Sequence, residues 1–307
     1  MTDPDATLLL FLNPGSGNDG DTDGVRAAAA LRGVTVVELH DDFAAEVDDA
    51  LAAHPGLVAV GMAGGDGSLA LVATQCVSRD LAFVCVPFGT RNHFARDLGL
   101  ERDDPVAALA GFTDRRERRI DVGWAGERMF LNNVTFGVYA EVVNDDAYRD
   151  AKIRTSLRVT RELLRGDRDV DSLHIETGAG GTIDTPFALL VSNNCYETLN
   201  ARDLGVRPHL DEGVLQVWAL EADSMRDLAS VARAAVSSSA EPEDHPNVES
   251  WTTTSLELGS PEDTAAAGVD GESVDLPMPL TLTVQPGALR VWTPEPVAHD
   301  SDTTTDA

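Results

Sequence analysis

The segment Val58-Ala59-Val60-Gly61-Met62-Ala63-Gly64-Gly65-Asp66-Gly67-Ser68-Leu69 decides how the rest of the chain is interpreted. Its apolar start is typical of a buried strand, and the mostly apolar residues from Leu69 to Gln75 predict a helix. A strand, a glycine turn and a helix therefore follow one another. Glycines let a phosphate approach the unpaired N–H groups at a helix start, where the helix dipole favours negative charge. The turn is a candidate phosphate-binding loop.

Asp66 distinguishes this turn from an ordinary phosphate loop. A carboxylate beside a polyphosphate is repelled unless a cation lies between them or the carboxylate takes part in proton transfer. These residues favour a site for magnesium-nucleotide chemistry. The alternative is a plain tight turn between a strand and a helix, because short glycine motifs often occur by chance.

Two further polar loops follow predicted strands in the first half of the chain. One is Asn13-Pro14-Gly15-Ser16-Gly17, and the other is Pro87-Phe88-Gly89-Thr90-Arg91-Asn92. Strands that alternate with helices are typical of a parallel sheet with its ligand crevice at the carboxyl ends of the strands. Three loops at such ends predict one shared site. The predicted strands cover 7–12, 34–39 and 81–86, and the predicted helices cover 23–31 and 43–53.

Two common nucleotide signatures do not fit. The chain has no GxxxxGK[ST] motif, and its single lysine, Lys152, lies in no glycine loop. The residues from Gly65 to Ala70 fit a loose GxGxxA dinucleotide pattern, but the next strand does not end in the acid that this pattern requires. The sequence therefore disfavours a dehydrogenase.

Composition limits the class of protein. The 307 residues carry a formal charge of −29, which argues against nucleic-acid binding because that binding relies on Lys and Arg. An acidic surface with one lysine favours a halophilic cytoplasm, where salt screens self-repulsion. Three cysteines without a CxxC pair indicate neither a disulfide framework nor a zinc site. With no signal peptide and no apolar run near the roughly 20 residues that span a bilayer, we expect a cytoplasmic protein without a transmembrane segment.

The second half of the chain has a different pattern. From residue 121 onwards short strand patterns replace the helix and strand alternation, which predicts a mostly antiparallel β-sandwich. We therefore expect an α/β nucleotide domain over 1–120, a sandwich domain for the substrate over 121–294 and a disordered tail over 295–307. A single helix is predicted over 224–237.

Several sequence blocks, taken in order, resemble one known family. Residues 13–17, 64–68 and 87–92 are similar to the NPxSG, GGDGT and PxGTxN blocks of the diacylglycerol kinase catalytic-domain family, which includes bacterial lipid kinases and sphingosine kinases. Later blocks over 130–137, 210–215 and 269–272 agree. The resemblance covers roughly residues 7 to 294, and it implies a three-layer Rossmann-like nucleotide domain with a parallel sheet, followed by a β-sandwich, with the active site between them.

The resemblance also implies the reaction and its residues. It implies an ATP- and Mg²⁺-dependent kinase of phospholipid metabolism that phosphorylates a lipid hydroxyl at the membrane surface. Glu272 is the implied proton acceptor, Asp66 acts through Mg²⁺ or is the rival base, and Asp270 orients the same network. The implied nucleotide-binding residues are Asn13, Pro14, Ser16, Gly17, His40, Gly64, Gly65, Asp66, Gly67, Ser68, Thr90 and Asn92, and the implied Mg²⁺ ligands are Leu210, Asp211, Val214 and Asp66.

The sequence departs from the family pattern at three places. Ser68 replaces the usual threonine, His93 stands where an acid is common, and no lysine follows the first glycine loop. An NAD kinase, which shares a GGDG loop, is the alternative enzyme, although His93 replaces the expected Glu after Asn92. A nucleotide- or lipid-binding regulator without catalysis is the alternative from another class. The acceptor lipid and the oligomeric state, a homodimer included, stay open.

One basic segment stands out in this acidic chain. Residues 115–168 contain 12 basic and 9 acidic residues, a net charge of +3. Arg154, Arg158, Arg161 and Arg165 recur at helical spacing, which places them on one face of a helix. A solvated face that pairs with nearby acids is one interpretation, and contact with anionic lipid headgroups at the membrane is the other.

Overall fold

The computed structural model describes most of the chain. The described residues are 7–16, 21–90, 92–137, 172–177, 180–197, 205–222, 224, 226–227, 230–231 and 245–295. Gly17, the predicted helix with Arg154, Arg158, Arg161 and Arg165, most of the predicted helix over 224–237 and the tail beyond residue 295 lie outside them. Among the helices in the described part, none combines the length and apolarity needed to cross a bilayer.

The first half of the chain forms a parallel sheet between layers of helices. Its four strands have the order β2-β1-β3-β4, and every pair is parallel. The elements are β1 (Thr7–Leu12), α1 (Thr22–Leu31), β2 (Thr35–Glu38), α2 (Phe43–Ala53), β3 (Leu57–Gly64), α3 (Asp66–Arg79), β4 (Ala82–Pro87), α4 (His93–Asp97), α5 (Pro105–Ala108) and a 3₁₀ helix (Leu109–Phe112).

Alternate side chains of the central strands enter two separate cores. In β1, Leu9 and Phe11 pack in the cluster that includes residues of α2 and α3, whereas Leu8 and Leu10 pack in the cluster that includes residues of α1. Because successive strand residues point to opposite faces, continuous apolar strands need helices on both sides. The predicted three-layer α/β architecture is confirmed.

The second half forms mostly antiparallel strands. Its elements are β5 (Arg115–Ala125), β6 (Arg128–Phe130), β7 (Asn133–Gly137), β8 (His174–Glu176), β9 (Thr182–Asp184), β10 (Ala188–Asn193), β11 (Leu215–Leu220), β12 (Val248–Thr253), β13 (Ser255–Gly259), β14 (Thr264–Val269), β15 (Glu272–Pro277) and β16 (Leu280–Pro294). A six-stranded sheet, with the order β12-β11-β10-β7-β14-β15, is antiparallel at every described pairing. Its buried residues share one core with those of β5, β6, β8, β9, β13 and β16, as predicted for a sandwich.

The last strand joins the two halves. β16 pairs with β5 and β13 in the sandwich, and it also pairs with β4 in a parallel register at Arg290 and Val291. The strands of the first half and the outer layer of the sandwich are therefore one sheet of ten strands. The division of the chain at residue 120 stays a prediction, and the C-terminal strand contributes to both of its parts.

Candidate functional site

The three polar loops meet at the carboxyl ends of β1, β3 and β4. The Asn13 side-chain amide donates to Ser68 Oγ at 3.4 Å, and the Gly65 N–H donates to Ser16 Oγ at 3.3 Å. The Phe88 N–H donates to the Gly64 carbonyl at 3.3 Å, which attaches the third loop to the second. Pro14 lies half-buried in the turn of the first loop. The structure therefore brings together the loops that the sequence placed at three separate strand ends.

Close contact between the second and third loops requires glycine at position 89. A Cβ at Gly89 would lie 2.6 Å from Gly65 Cα, whereas a Cβ at Gly65 would have nothing nearer than Gly89 Cα at 3.9 Å. A side chain at position 89 would therefore clash with the second loop, whereas a Cβ at position 65 would not. No side chain can be added at Gly89 without moving the backbone of the phosphate loop.

We expect Gly89→Ala to lower the free energy of unfolding by about 1 to 3 kcal/mol, the usual range for overpacking. It should also weaken ATP binding, because the loop that carries Gly65 has to shift. Gly65→Ala is the matched control for stability, and urea unfolding of both variants measures the difference. Equal stability of the two variants would contradict the close approach.

The start of α3 is open to an anion. The starts of α1, α2 and α5 are capped by the side chains of Asp21, Asp42 and Asp104, but α3 follows Gly65 and has no side-chain cap. Within the described residues, the N–H groups of Asp66, Gly67 and Ser68 meet no acceptor. Unpaired N–H groups at the positive end of a 14-residue helix fit a phosphate.

Asp66 is held at the first residue of α3. Its carboxylate accepts the backbone N–H groups of His93 and Phe94 at 3.3 and 3.2 Å, so it caps the start of α4. It also accepts the side-chain amide of Asn132 at 3.4 Å. Three donors on a carboxylate with about four lone-pair positions leave room for one further ligand. Asp66 is thus both a structural cap and a residue that could contact Mg²⁺.

Asp270 lies behind this loop, in the hairpin turn between β14 and β15. Asp270 and Gly271 both have positive φ, at 50° and 85°, as a two-residue type I′ turn requires. The buried Asp270 carboxylate accepts the N–H groups of Leu131, Asn132 and Asn133 at 2.7 to 3.1 Å. The turn thereby fixes the start of β15, where Glu272 is the first residue. Asp270 accepts the backbone N–H of Asn132, whose side-chain amide donates to Asp66, and the catalytic role of this network stays a prediction.

Burial raises the pKa of Asp270 to about 6, although the three N–H donors lower it, and the nearby charge of Asp66 adds to the rise. Between about pH 4 and pH 6 the native state therefore holds a proton that the unfolded state has released. The stability from Asp270 is fully present below its ordinary pKa of 3.8 and is lost as the pH rises through about 6.

We expect Asp270→Asn to remove this pH dependence. The stability of the wild type minus that of the variant should fall by up to about 3 kcal/mol between pH 4 and pH 7. Urea unfolding of both proteins at half-unit steps of pH measures it. A difference that stays constant over this range would contradict the raised pKa.

Glu272 lies against the phosphate loop. A Cβ at Gly67 would lie 1.9 Å from Glu272 Oε1, so the carboxylate occupies the space that only glycine leaves open. Glu272 is exposed, and its Oε2 accepts from Arg128 Nη2 at 2.7 Å. Glu272 and the phosphate loop share a cleft of about 670 Å³, lined by Asn13, Phe43, Gly67, Ser68, Ala70, Leu71, Thr74, Gln75, Glu127, Arg128, Met129 and Glu272.

Three other predicted nucleotide residues lie around the loops. Asn92 is buried, and its side chain bonds the backbone of Gly89 at 2.9 Å in both directions and the Arg102 carbonyl at 3.1 Å. This side chain therefore shapes the third loop. Thr90 and His40 are exposed, and the His40 N–H donates to Glu46. Their contacts with nucleotide stay predictions.

The predicted Mg²⁺ segment precedes β11. The Leu210 carbonyl accepts the Asp121 N–H at 2.7 Å, the Val214 carbonyl accepts the Asn194 N–H at 2.9 Å, and Asp211 is exposed. Each carbonyl keeps one lone pair for a cation. Within the described part of the chain, no three His, Cys, Asp or Glu side chains are grouped to hold a metal ion. The accessory Mg²⁺ site stays a prediction.

Sequence reasoning missed the fully buried Arg207. Its guanidinium pairs with Asp97 at 2.7 Å, donates to the carbonyls of Leu131 and Asn193, and donates to Asn132 Oδ1 at 2.7 Å. Arg207 thus fixes the side chain of Asn132, whose amide reaches Asp66. Asn132 lies in a block that was recognised, but no spacing in the sequence links Arg207 to a partner 110 residues away.

Comparison with known proteins places the chain in a family. Residues 7–125 match the diacylglycerol kinase catalytic domain. A Pseudomonas aeruginosa protein named "Probable lipid kinase YegS-like" is 30% identical over 232 residues, which cover 71% of this chain and 73% of that protein. A Mycobacterium tuberculosis diacylglycerol kinase is 29% identical over 171 residues, 52% of this chain and 55% of that protein.

A solved structure shares the fold. The crystal structure of a diacylglycerol kinase from Bacillus anthracis superimposes with a TM-score of 0.65 at 15% identity, and the match covers 94% of this chain and 97% of that one. The chain therefore belongs to the diacylglycerol kinase catalytic-domain family, and its enzymatic role is that of a kinase.

Proposed function

We propose that this protein transfers the γ-phosphoryl group of ATP to a hydroxyl of a diacylglycerol-like lipid. The observation that carries the proposal is the position of the Glu272 carboxylate directly against Gly67, in the same cleft as the open start of α3. A proton acceptor and a phosphate-binding helix end thus lie side by side. Phosphoryl transfer asks a protein chiefly for such positioning and for neutralisation of charge.

The N–H groups of Asp66, Gly67 and Ser68 bind the phosphates in this proposal. They have no acceptor among the described residues and lie at the positive end of a helix. Asn13 and Ser16 hold the loop from the side of β1 through their bonds to Ser68 and Gly65. Mg²⁺, when bound, supplies further neutralisation of the phosphate charge, and the free lone pair of Asp66 fits it.

Glu272 is the proton acceptor. Asp66 and Asp270 each accept three hydrogen bonds from protein groups, whereas Glu272 is exposed in the cleft and accepts one, from Arg128. In the transfer, the acceptor oxygen forms a bond to the γ-phosphorus, and the bond from that phosphorus to the bridging oxygen breaks. The hydroxyl proton passes to Glu272, and ADP leaves.

The lining of the cleft fits an acceptor that has a polar and an apolar part. Its lining combines Ser68 and Glu272 with apolar residues such as Phe43, Leu71 and Met129. The names of the relatives, lipid kinase and diacylglycerol kinase, agree with this class of acceptor. The proposal therefore includes a peripheral contact with the membrane that supplies the lipid.

Incubation of γ-labelled ATP and Mg²⁺ with the protein and a total lipid extract tests this function. We expect a labelled phospholipid on chromatography, and pure diacylglycerol should yield labelled phosphatidic acid if it is the acceptor. NAD in place of lipid tests the alternative kinase, and labelled NADP without labelled lipid would overturn the proposal.

The same assay in 0.1 M and 2 M KCl tests the halophilic habitat. The charge of −29 predicts greater activity at high salt, because salt screens the repulsion between the acidic groups.

A further inference from the structure

Arg128 forms an ion pair with Glu272 at the candidate site. It is the first residue of β6, directly after the turn that follows β5, and its Nη2 lies 2.7 Å from Glu272 Oε2. Both side chains line the cleft that holds Gly67 and Ser68. The structure gives Arg128 one hydrogen-bond partner among the described residues, which is Glu272. Within the described part of the chain, four of the five N–H donors of its guanidinium therefore have no acceptor.

The charge around the cleft makes this arginine important. Among the described residues that line the cleft, Arg128 is the one cation, and Glu127 and Glu272 are the carboxylates. The whole chain carries a charge of −29, and its single lysine does not lie in any of the three loops. A polyphosphate that enters beside two carboxylates is repelled unless a positive charge is close to it.

We infer that Arg128 binds the phosphate groups of the nucleotide and at the same time holds Glu272 beside them. A guanidinium is planar and presents its donors in a fixed fork, so one edge can bind a carboxylate while another binds phosphate oxygens. This inference rests on the proposed function, because it assigns a contact to the nucleotide of that reaction. Arg128 then offsets the repulsion between the base and the phosphoryl group that approaches it.

The alternative is an ordinary surface ion pair without a ligand. The side chains of Arg128 and Glu272 are 42% and 51% exposed, and such pairs contribute little to stability. Arg119 and Asp80 form a comparable pair at 3.3 Å, with side chains 53% and 69% exposed, and neither lines the cleft. Arg119→Gln is therefore a matched control for Arg128→Gln, and both proteins should fold as the wild type does.

Calorimetric titration with ATP and Mg²⁺, and separately with adenosine, tests the inference. We expect Arg128→Gln to raise the Kd for ATP roughly ten- to a hundredfold, the range for loss of hydrogen bonds to a charged group. The Kd for adenosine, which has no phosphates, should not change, and Arg119→Gln should leave both constants unchanged. Arg128→Lys should lie between the wild type and Arg128→Gln, because lysine keeps the charge and loses the fork.

The outcomes separate this inference from the function on which it rests. If the wild type binds ATP and phosphorylates lipid while Arg128→Gln matches it in Kd and in kcat, Arg128 is only half of a surface ion pair and the inference is overturned. An equal loss of affinity for ATP and adenosine would also overturn it, since phosphate would not be what Arg128 binds. If the wild type itself neither binds ATP nor transfers phosphoryl groups, the proposed function falls and the inference falls with it.

Discussion

The Glu272→Gln protein is expected to lose a factor of about 10² to 10⁴ in kcat and to bind ATP at least as tightly as the wild type. Glutamine has the size of glutamate, and its side-chain carbonyl can still accept the bond from Arg128. It cannot take a proton from the acceptor hydroxyl. The loss should therefore appear in turnover, and removal of a negative charge beside the phosphates should not weaken binding.

Steady-state kinetics with the lipid acceptor, together with ATP titration, measures both quantities. Glu257→Gln is a suitable control, because Glu257 is an exposed glutamate on β13 that does not line the cleft. It should match the wild type in both assays. A Glu272→Gln protein with wild-type kcat would remove Glu272 from the role of base and leave Asp66 as the next candidate, to be examined through Asp66→Asn.

Arg207→Met is expected to lower the free energy of unfolding by about 3 to 5 kcal/mol. The substitution removes the 2.7 Å ion pair of the buried Asp97 carboxylate, which keeps Arg96 at 3.7 Å, and the oxygen acceptors on Leu131, Asn132 and Asn193 each lose one donor. The breaking of a buried network of ion pairs and hydrogen bonds is among the largest known causes of destabilisation by a single change.

Urea unfolding of Arg207→Met, of Asp97→Asn and of the double variant separates the ion pair from the rest of the site. We expect the loss of stability in the double variant to be smaller than the sum of the losses in the two single variants. Asp97→Asn removes the negative charge that loses its Arg207 partner in Arg207→Met. Arg119→Met, at an exposed position, is the control and should change stability little. A loss at Arg207 no larger than that at Arg119 would contradict the role of the buried pair.

Much of the fold was predictable because its signals are local. The apolar run of β1 and the helix over Phe43–Ala53 were predicted with the observed bounds. The predicted start of α3 lies three residues too late. The helix begins at Asp66, but glycine is a poor helix former, and Gly67 in the first turn therefore gave no helix signal. The pairing of β16 with β4 was not predictable. It joins Arg290 to Ala82, which lie far apart in the sequence, and no local sequence pattern indicates such a pairing.

The candidate site was predictable to the extent that its residues lie in sequence blocks. The glycine loops and Glu272 carry such signals, and Asn13, Gly67 and Ser68 of the first two loops line one cleft with Glu272. Arg128 and Arg207 carry no such signal. Their roles depend on the carboxylates of Glu272 and Asp97, which come close to them only in the folded protein. The family resemblance gives Asp270 a place in a catalytic network, and Asp-Gly is also a common hairpin turn. The structure shows that the turn is what places Glu272 at the start of β15.

The path of β16 has a consequence for how the protein is made. Leu282 packs in the core of the sandwich, while Val291 and Trp292 pack in the two cores on either face of the parallel sheet. During synthesis the N-terminal half therefore leaves the ribosome before β16, the strand that pairs with the edge of β4, has been made. Until then the nascent chain exposes an apolar strand edge of the kind that recruits other strands. The fifteen residues of β16 therefore link the core of the sandwich to both cores of the parallel sheet.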